Sequence, residues 1–411
     1  MYVRRSAAVL AAVTVIGVAT PAAQAATPSP SASLPAGLYG TTDPTYDGVW
    51  RQSLALIAQD TVGVKPAAEA VDWLTGQQCA NGAFAPFRAD TAKDCDAKTP
   101  VDTNSTAAAV QALAALGGQD AATGKAVTWL KSVQNKDGGW GYLPGGASDA
   151  NSTSVVVGAL TAVGEKPADV VKGGMSPYDA LMSFALPCGG TGGGAFAFQP
   201  DKKGRLAANA DATAAAVVGA LGKTLTGAAP KPTADALTCK DATDLKQASR
   251  NGAAYLVKAL AKDKHLMSTL PGAKDQPDYG NTADAVLALS TAGHGDKAAD
   301  AMRWLGAHSE QWAKQAGPAA YAQLILAADA ASFDVRDFDG TGDDLVKRLN
   351  ATGPAPESVP AVKSPTASEE QQKADAADDN GAGVWWIVGV GLVAGIGVGF
   401  LLSGRNKGRR K

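Results

Sequence analysis

Lys125–Trp140 reads KAVTWLKSVQNKDGGW, and Glu69–Phe84, EAVDWLTGQQCANGAF, follows the same plan. Both place an aromatic-Leu pair first, a Gln four residues after the Leu, and Gly-x-aromatic at the end. Each is followed by a cluster of Asp, Asn and Thr that opens an Ala-rich stretch. Self-similarity at a fixed period is the mark of a repeat architecture, in which each unit buries its apolar face only against its neighbours.

Further copies follow along the chain. Tyr255-Leu256 and Trp304-Leu305 occupy the place of Trp73-Leu74 and Trp129-Leu130, and Phe184 holds it in a degraded unit. The spacing, about 50 residues, accommodates two helices of ~11–12 residues with their loops. The second half of each unit is DTNSTAAAVQALAALG (Asp102–Gly117), DANSTSVVVGALTAVG (Asp149–Gly164), NADATAAAVVGALG (Asn209–Gly222) or YGNTADAVLALSTAG (Tyr279–Gly293). Asn, Asp and Thr open helices by accepting free amide hydrogens, and Gly closes them. These bodies are nearly uncharged, so they read as buried helices, whereas the tryptophan helices carry Lys and Asp on one side and read as amphipathic. About six such pairs between Thr45 and Asn350 predict an all-α fold, an (α/α)6 toroid with inner helices inside a ring of outer ones.

Lys125–Trp140 resembles the glutamine-tryptophan repeat of squalene and terpenoid cyclases, shared more loosely with protein prenyltransferase β subunits. The same toroid is used by cobalamin carriers of the intrinsic factor and transcobalamin type. The resemblance covers 45–350 and implies the fold; it leaves the activity open, because this fold hosts enzymes and binders alike.

The ends suggest where the toroid works. Met1–Ala25 has Arg4 and Arg5, an apolar run from Ala7 to Ala19 and Ala23-Gln24-Ala25, the pattern of a secretory signal peptide. Residues 26–44 read as a flexible leader, and 351–382, rich in Pro, Ala and acidic residues, as a disordered stalk. Gly383–Leu402, GVWWIVGVGLVAGIGVGFLL, is uncharged and suits the ~20 residues of a membrane span. Arg405, Lys407, Arg409, Arg410 and Lys411 make 403–411 a basic cytoplasmic tail, leaving the toroid extracellular on a single-pass anchor. Gly391, Gly395 and Gly399 have the spacing of a helix-pairing face. An even set of four cysteines in a secreted chain predicts disulfides, and proximity favours Cys79–Cys95 and Cys188–Cys239 among three connectivities. A net charge of −2 without a basic stripe argues against nucleic acid as a partner.

The chemical motifs of the resembling enzymes are missing. The toroid has no D-x-D-D, Asp343-Asp344 does not extend to D-D-x-x-D, and His265, His294 and His308 lack zinc-site spacing. Asp337-x-Asp339-x-Thr341-x-Asp343 starts like a calcium loop but has Arg348 at its twelfth place. No metal or cofactor is implied. What remains is a ring of polar helix starts with aromatic neighbours that converge on one mouth: Asp102, Asn104 and Thr106; Asp149, Asn151 and Thr153; Asn209 and Asp211; Tyr279 and Asn281; with Trp140, Tyr142, Phe196 and Phe198 in the loops before them. The expectation from sequence is therefore a non-catalytic binding module that captures a ligand, corrinoid-like or otherwise bulky, or a partner such as a membrane transporter or receptor. The alternative is a toroid enzyme, prenyltransferase- or terpene-cyclase-like or glycan-active, the last with Asp102 and Asp149 as its nearest carboxylate pair.

Overall fold

The polar openers do start helices, and the apolar bodies between them line up side by side. The computed structural model describes residues 35–233, 236–268 and 274–361. Its helices are α1 Gly48–Thr61, α2 Ala68–Gly76, α3 Thr103–Leu116, α4 Asp120–Ser132, α5 Ala150–Ala162, α6 Pro177–Ser183, α7 Ala210–Ala220, α8 Leu245–Leu260, α9 Tyr279–Thr291, α10 Gly295–His308, α11 Glu310–Ala316, α12 Pro318–Ala330 and α13 Leu345–Asn350. Helices α1, α3, α5, α7, α9 and α12 pack each on the next, and α12 packs on α1, so the inner ring is closed. Helices α2, α4, α6, α8, α10 and α13 pack on the outside of this ring, and α4, α6, α8 and α10 each touch two neighbouring inner helices. This is the α/α toroid. Two inner helices carry no copy of the repeat: α1 opens the ring, and α12 begins with Pro318 instead of an Asp or Asn cap.

The repeat motif closes each outer-to-inner loop. Gln78 Nε2 donates to Gly82 O at 3.0 Å and to Ala122 O of the next outer helix at 2.8 Å. Gln134 Nε2 does the same with Gly138 O (2.8 Å) and Val170 O (3.0 Å). One amide thus holds its own loop and pins it to the following unit. The motif glycines are required: Gly82 and Gly138 have φ of +95° and +85°, and a Cβ would meet Lys125 O at 2.3 Å or Ser176 O at 2.2 Å. Trp129 and Leu130 face inward from α4, and Trp140 Nε1 donates to Leu130 O at 2.7 Å.

Two short antiparallel hairpins, β1 Phe196–Ala197 with β2 Ala208–Asn209 and β3 Leu266–Ser268 with β4 Gln276–Asp278, run directly into α7 and α9. The two disulfides are Cys79–Cys95 and Cys188–Cys239, with Cα separations of 5.5 and 5.7 Å.

The domain edges differ from the expected ones. Residues 35–44 are not a loose leader throughout: Tyr39 is fully buried, its hydroxyl donates to Gln59 Oε1 at 2.9 Å, and its ring lies on Gly353. Nor does the chain leave at Ala351. Gly40 N donates to Thr352 O at 2.8 Å, and Lys65 pairs with Ser358 through the backbone and with Glu357 through its ammonium. The physical reason is that Leu38 and Tyr39 bury apolar side chains in the core, and the C-terminal segment packs on Tyr39 and bonds to Gly40 and Lys65. The signal peptide, the bulk of the stalk, the span with its glycine face and the tail lie outside the described residues. Among the described residues no helix is long and apolar enough to cross a membrane.

Candidate functional site

The threonines of the expected mouth are fasteners. Phe84 N donates to Thr106 Oγ1 at 2.9 Å, Trp140 N to Thr153 Oγ1 at 3.1 Å, Phe196 N to Thr213 Oγ1 at 2.9 Å and Leu266 N to Thr282 Oγ1 at 2.9 Å. The same clamp thus recurs in four units, and Phe84, Trp140 and Phe196 are fully buried plugs between helices. Asp102, Asp149 and Asn209 are N-caps, accepting from the backbone of Ser105, Ser152 and Ala212. Burial pushes the carboxyls of Asp102 and Asp149 up, against the hydrogen bonds that favour ionisation. Each residue is 1% exposed, so neither is available to a substrate and the glycan-type pair is absent. Tyr142 and Phe198 are exposed loop residues at 48% and 41%. Tyr279 stacks between Trp304 and Trp312, with centroids 5.2 and 5.5 Å away, and Asn281 Nδ2 donates to Asp278 at 2.8 Å.

Three of the expected residues do meet. Asn104, Asn151 and Asp211 are the second residues of α3, α5 and α7, and all three line a cavity of about 210 Å³ enclosed by the inner ring. Trp50, Asp284 and Gln323, from α1, α9 and α12, complete the circuit. Every inner helix therefore contributes. The walls below are apolar, with Leu54, Val155, Ala214, Val218, Leu287 and Leu326 among them. The far end is closed by the segment after α7: Leu225 N donates to Gln111 Oε1 at 2.7 Å and Ala228 N to Thr291 Oγ1 at 3.1 Å. Gln111, Lys223, Thr224 and Leu225 line that end.

Asp284 is the chemically distinctive group. Its carboxyl is pushed up to about 7, first by burial, then by the neighbouring Asp211 charge, with Asp278 adding to the effect. Asp284 is half-buried and lines the cavity. Gln323 Nε2 approaches both of its oxygens only at 3.4 Å, a long contact. Burial also raises Asp211, while the bond from Asn151 Nδ2 to Asp211 Oδ2, 2.7 Å, works to keep it charged. The two carboxyls thus sit in unequal surroundings, Asp211 with a close amide donor and Asp284 with only a long one, and unequal surroundings push the pKa values of two like groups apart.

Asp284 and Gln323 were not among the expected site residues. Gly280 takes the second position of α9, where α7 has Asp211, so the α9 carboxylate sits one turn deeper. The signal was present: Asp284 is the one charge inside YGNTADAVLALST. Gln323, by contrast, lies on a helix without the repeat.

Other expected chemistry is used up structurally. Asp339 bonds Thr341, Asp337 accepts from Gly342 N, and Asp343 pairs with Arg348, so the calcium-like loop ties itself. Among the described residues no group of three or more His, Cys, Asp or Glu is placed to hold a metal ion.

Residues 45–218 match the family model of the prenyltransferase alpha-alpha toroid domain. Over 80 residues the chain is 39% identical to drimenyl diphosphate synthase of Streptantibioticus cattleyicolor; the match takes in 20% of this chain and 13% of that protein. Two solved structures are similar at 15% identity: a protein from Actinoplanes (TM-score 0.46, covering 72% of this chain and 92% of the other) and ent-copalyl diphosphate synthase from Streptomyces platensis (TM-score 0.47, 69% and 50%). The similarity to a synthase corrects the expectation of a non-catalytic binding module and favours its alternative, a terpene-cyclase-like toroid. Resemblance to cobalamin carriers finds no support among these comparisons. Residues 45–218 are thus similar to the prenyltransferase alpha-alpha toroid domain, and the ring of helices that they open runs on to Asn350.

Proposed function

We propose that the chain is a terpene-cyclase-like enzyme that encloses an apolar, isoprenoid-type chain end in the inner-ring cavity and starts its rearrangement with a proton from Asp284. The observation that carries this reading is the Asp284 carboxyl, which lines an apolar enclosure and is pushed up to about 7 by burial and the Asp211 charge. A neutral carboxylic acid beside an alkene can transfer its proton to one alkene carbon, forming a C–H bond and leaving the cation on the other. A second alkene then supplies its electron pair to close a carbon–carbon bond, and loss of a proton to a carboxylate restores neutrality. Asp211 and the newly formed Asp284 carboxylate stabilise the developing positive charge in a water-poor site. The cavity, about 210 Å³, is smaller than the ~300–1,000 Å³ of drug-sized ligand sites. It suits one end of a slender chain, with the remainder at the mouth.

The signal sequence, the span at 383–402 and the two disulfides support placing this domain at the outer membrane face, where an isoprenoid lipid would be at hand. The test is incubation of the purified protein with a series of linear isoprenoid alcohols and diphosphates, followed by gas chromatography with mass detection. Cyclic products that vanish in Asp284→Asn support the reading; conversion unaffected by Asp284→Asn, or none across the series, sinks it.

A further inference from the structure

The floor of the cavity is a single stretch of chain laid across the ring. Helices α3 and α9 stand opposite one another, three places apart in the circuit of six inner helices. The segment that leaves α7 is held to both. Leu225 N donates to Gln111 Oε1 of α3 at 2.7 Å, and Ala228 N to Thr291 Oγ1 of α9 at 3.1 Å. Thr233 N then donates to Gly293 O at 3.0 Å, just past the end of α9.

The surroundings are cut to receive it. Gln111 is 3% exposed, and its Nε2 donates to Val155 O at 2.9 Å, so the side chain lies across α5. Gly158 makes room for that, since a Cβ there would meet Gln111 Nε2 at 2.8 Å. Gly227 lets the crossing segment press on α9: its φ is +65°, and a Cβ would meet Thr291 Oγ1 at 2.5 Å. Withdrawing Leu225 would leave the buried Gln111 oxygen without its donor, which is costly. The depth of this floor follows from the helices. Asn104 and Gly280 are the second residues of α3 and α9; Gln111 comes two turns after Asn104, Asp284 one turn after Gly280, and Thr291 two turns after Asp284. At ~5.4 Å per turn the floor lies roughly 5–10 Å deeper than Asp284. Leu225 is the apolar side chain that the crossing segment adds to the cavity lining.

We infer that Leu225 is the stop against which a chain end inserted tip-first comes to rest, and that it thereby fixes which double bond of the chain stands at Asp284. Shortening this side chain lets the whole chain slide deeper, and the alkene beside the acid changes with it. Gln111 and Thr291 are positioning residues, which hold the stop and touch no reacting atom. The inference rests on the isoprenoid reading above for the identity of the chain, yet the stop itself requires no turnover, so the two can fail separately.

Calorimetric titration of the full chain in nanodiscs with linear 1-alkanols of increasing length tests the stop. Dividing each variant's affinity by the parent's cancels partition of the alkanol into lipid. Leu225→Ala should match the parent for short alkanols. Beyond the parent's limit the ratio should climb about fourfold per methylene, the fold-change that ~0.8 kcal/mol per buried CH₂ gives, and level off at roughly 15–60-fold after two or three. Leu225→Phe should lose affinity from a shorter length onward, while Leu225→Met, close in volume, should keep a ratio near one. Gln111→Met frees the stop and should extend the limit as Leu225→Ala does, with short alkanols unaffected. A ratio near one at every length for both Leu225→Ala and Leu225→Phe in folded protein, or no binding of any alkanol, would overturn the inference. Cyclic products of unchanged pattern from Leu225→Ala would overturn the stop and leave the reaction standing; a ratio that climbs as described, without conversion of any isoprenoid, would overturn only the proposed reaction.

Discussion

Asn151 Nδ2 donates to Asp211 Oδ2 at 2.7 Å, joining the first turn of α5 to the first turn of α7 across sixty residues of chain. Without that donor the Asp211 carboxylate would keep its burial and lose its compensation. Asn151→Leu should therefore destabilise the fold by about 1.5–3 kcal/mol at pH 7 and by less at pH 4.5, where Asp211 is closer to neutral. Denaturant unfolding at the two pH values measures the difference; equal losses would mean that the bond does not act through charge.

Asp284 should give the stability of the protein a readable pH slope. Its carboxyl ionises near its ordinary 3.8 when unfolded and near about 7 when folded. Between those values the folded chain holds the extra proton, so this contribution is fully present below about pH 4, is lost as pH rises toward about 7, and is constant above. Asp284→Asn should thus be the more stable protein at pH 8, by roughly 2–4 kcal/mol, and match the parent near pH 4. Melting curves across this range provide the check.

The same titration governs the proposed chemistry. An acid must be protonated to act, so product formation should fall as pH rises through about 7. Gln323→Leu removes the neighbour that favours the ionised form and should move that fall to higher pH. A profile flat from pH 6 to 8 would rule out Asp284 as the proton donor.

The threonine clamps carry packing weight. Thr213→Val keeps the shape but leaves Phe196 N without its acceptor, at an expected loss of about 1–3 kcal/mol, whereas Thr213→Ser should recover most of it. Thermal unfolding of the two variants distinguishes the hydroxyl from the methyl.

The fold was legible because its instructions are local. Gln134, Gly138, Trp140 and Thr153 lie within one short stretch, and their bonds to one another recur from unit to unit. The paired disulfides followed from proximity in the same way. The site was legible only in part. Asn104, Asn151 and Asp211 sit at a repeated position next to the caps and were caught with them, but the pattern could not separate a capping Asp102 from a cavity-lining Asn104, since adjacent helical residues point about 100° apart and only packing says which way is inward. Asp284 and Gln323 escaped because α9 shifts its carboxylate by a turn and α12 has no repeat to align. Trp50 escaped for the same reason on α1.

The contact of Gly40 with Thr352, and of Lys65 with Ser358, brings the opening and closing segments of the domain's chain side by side. A ring whose two ends meet has no privileged starting unit. New termini could be opened in an exposed loop such as Asp201–Arg205 and the old ones joined by a short linker, giving a circular permutant with the same inner ring. Equally, the whole toroid could be spliced into a surface loop of another protein, entering and leaving through one narrow point of attachment.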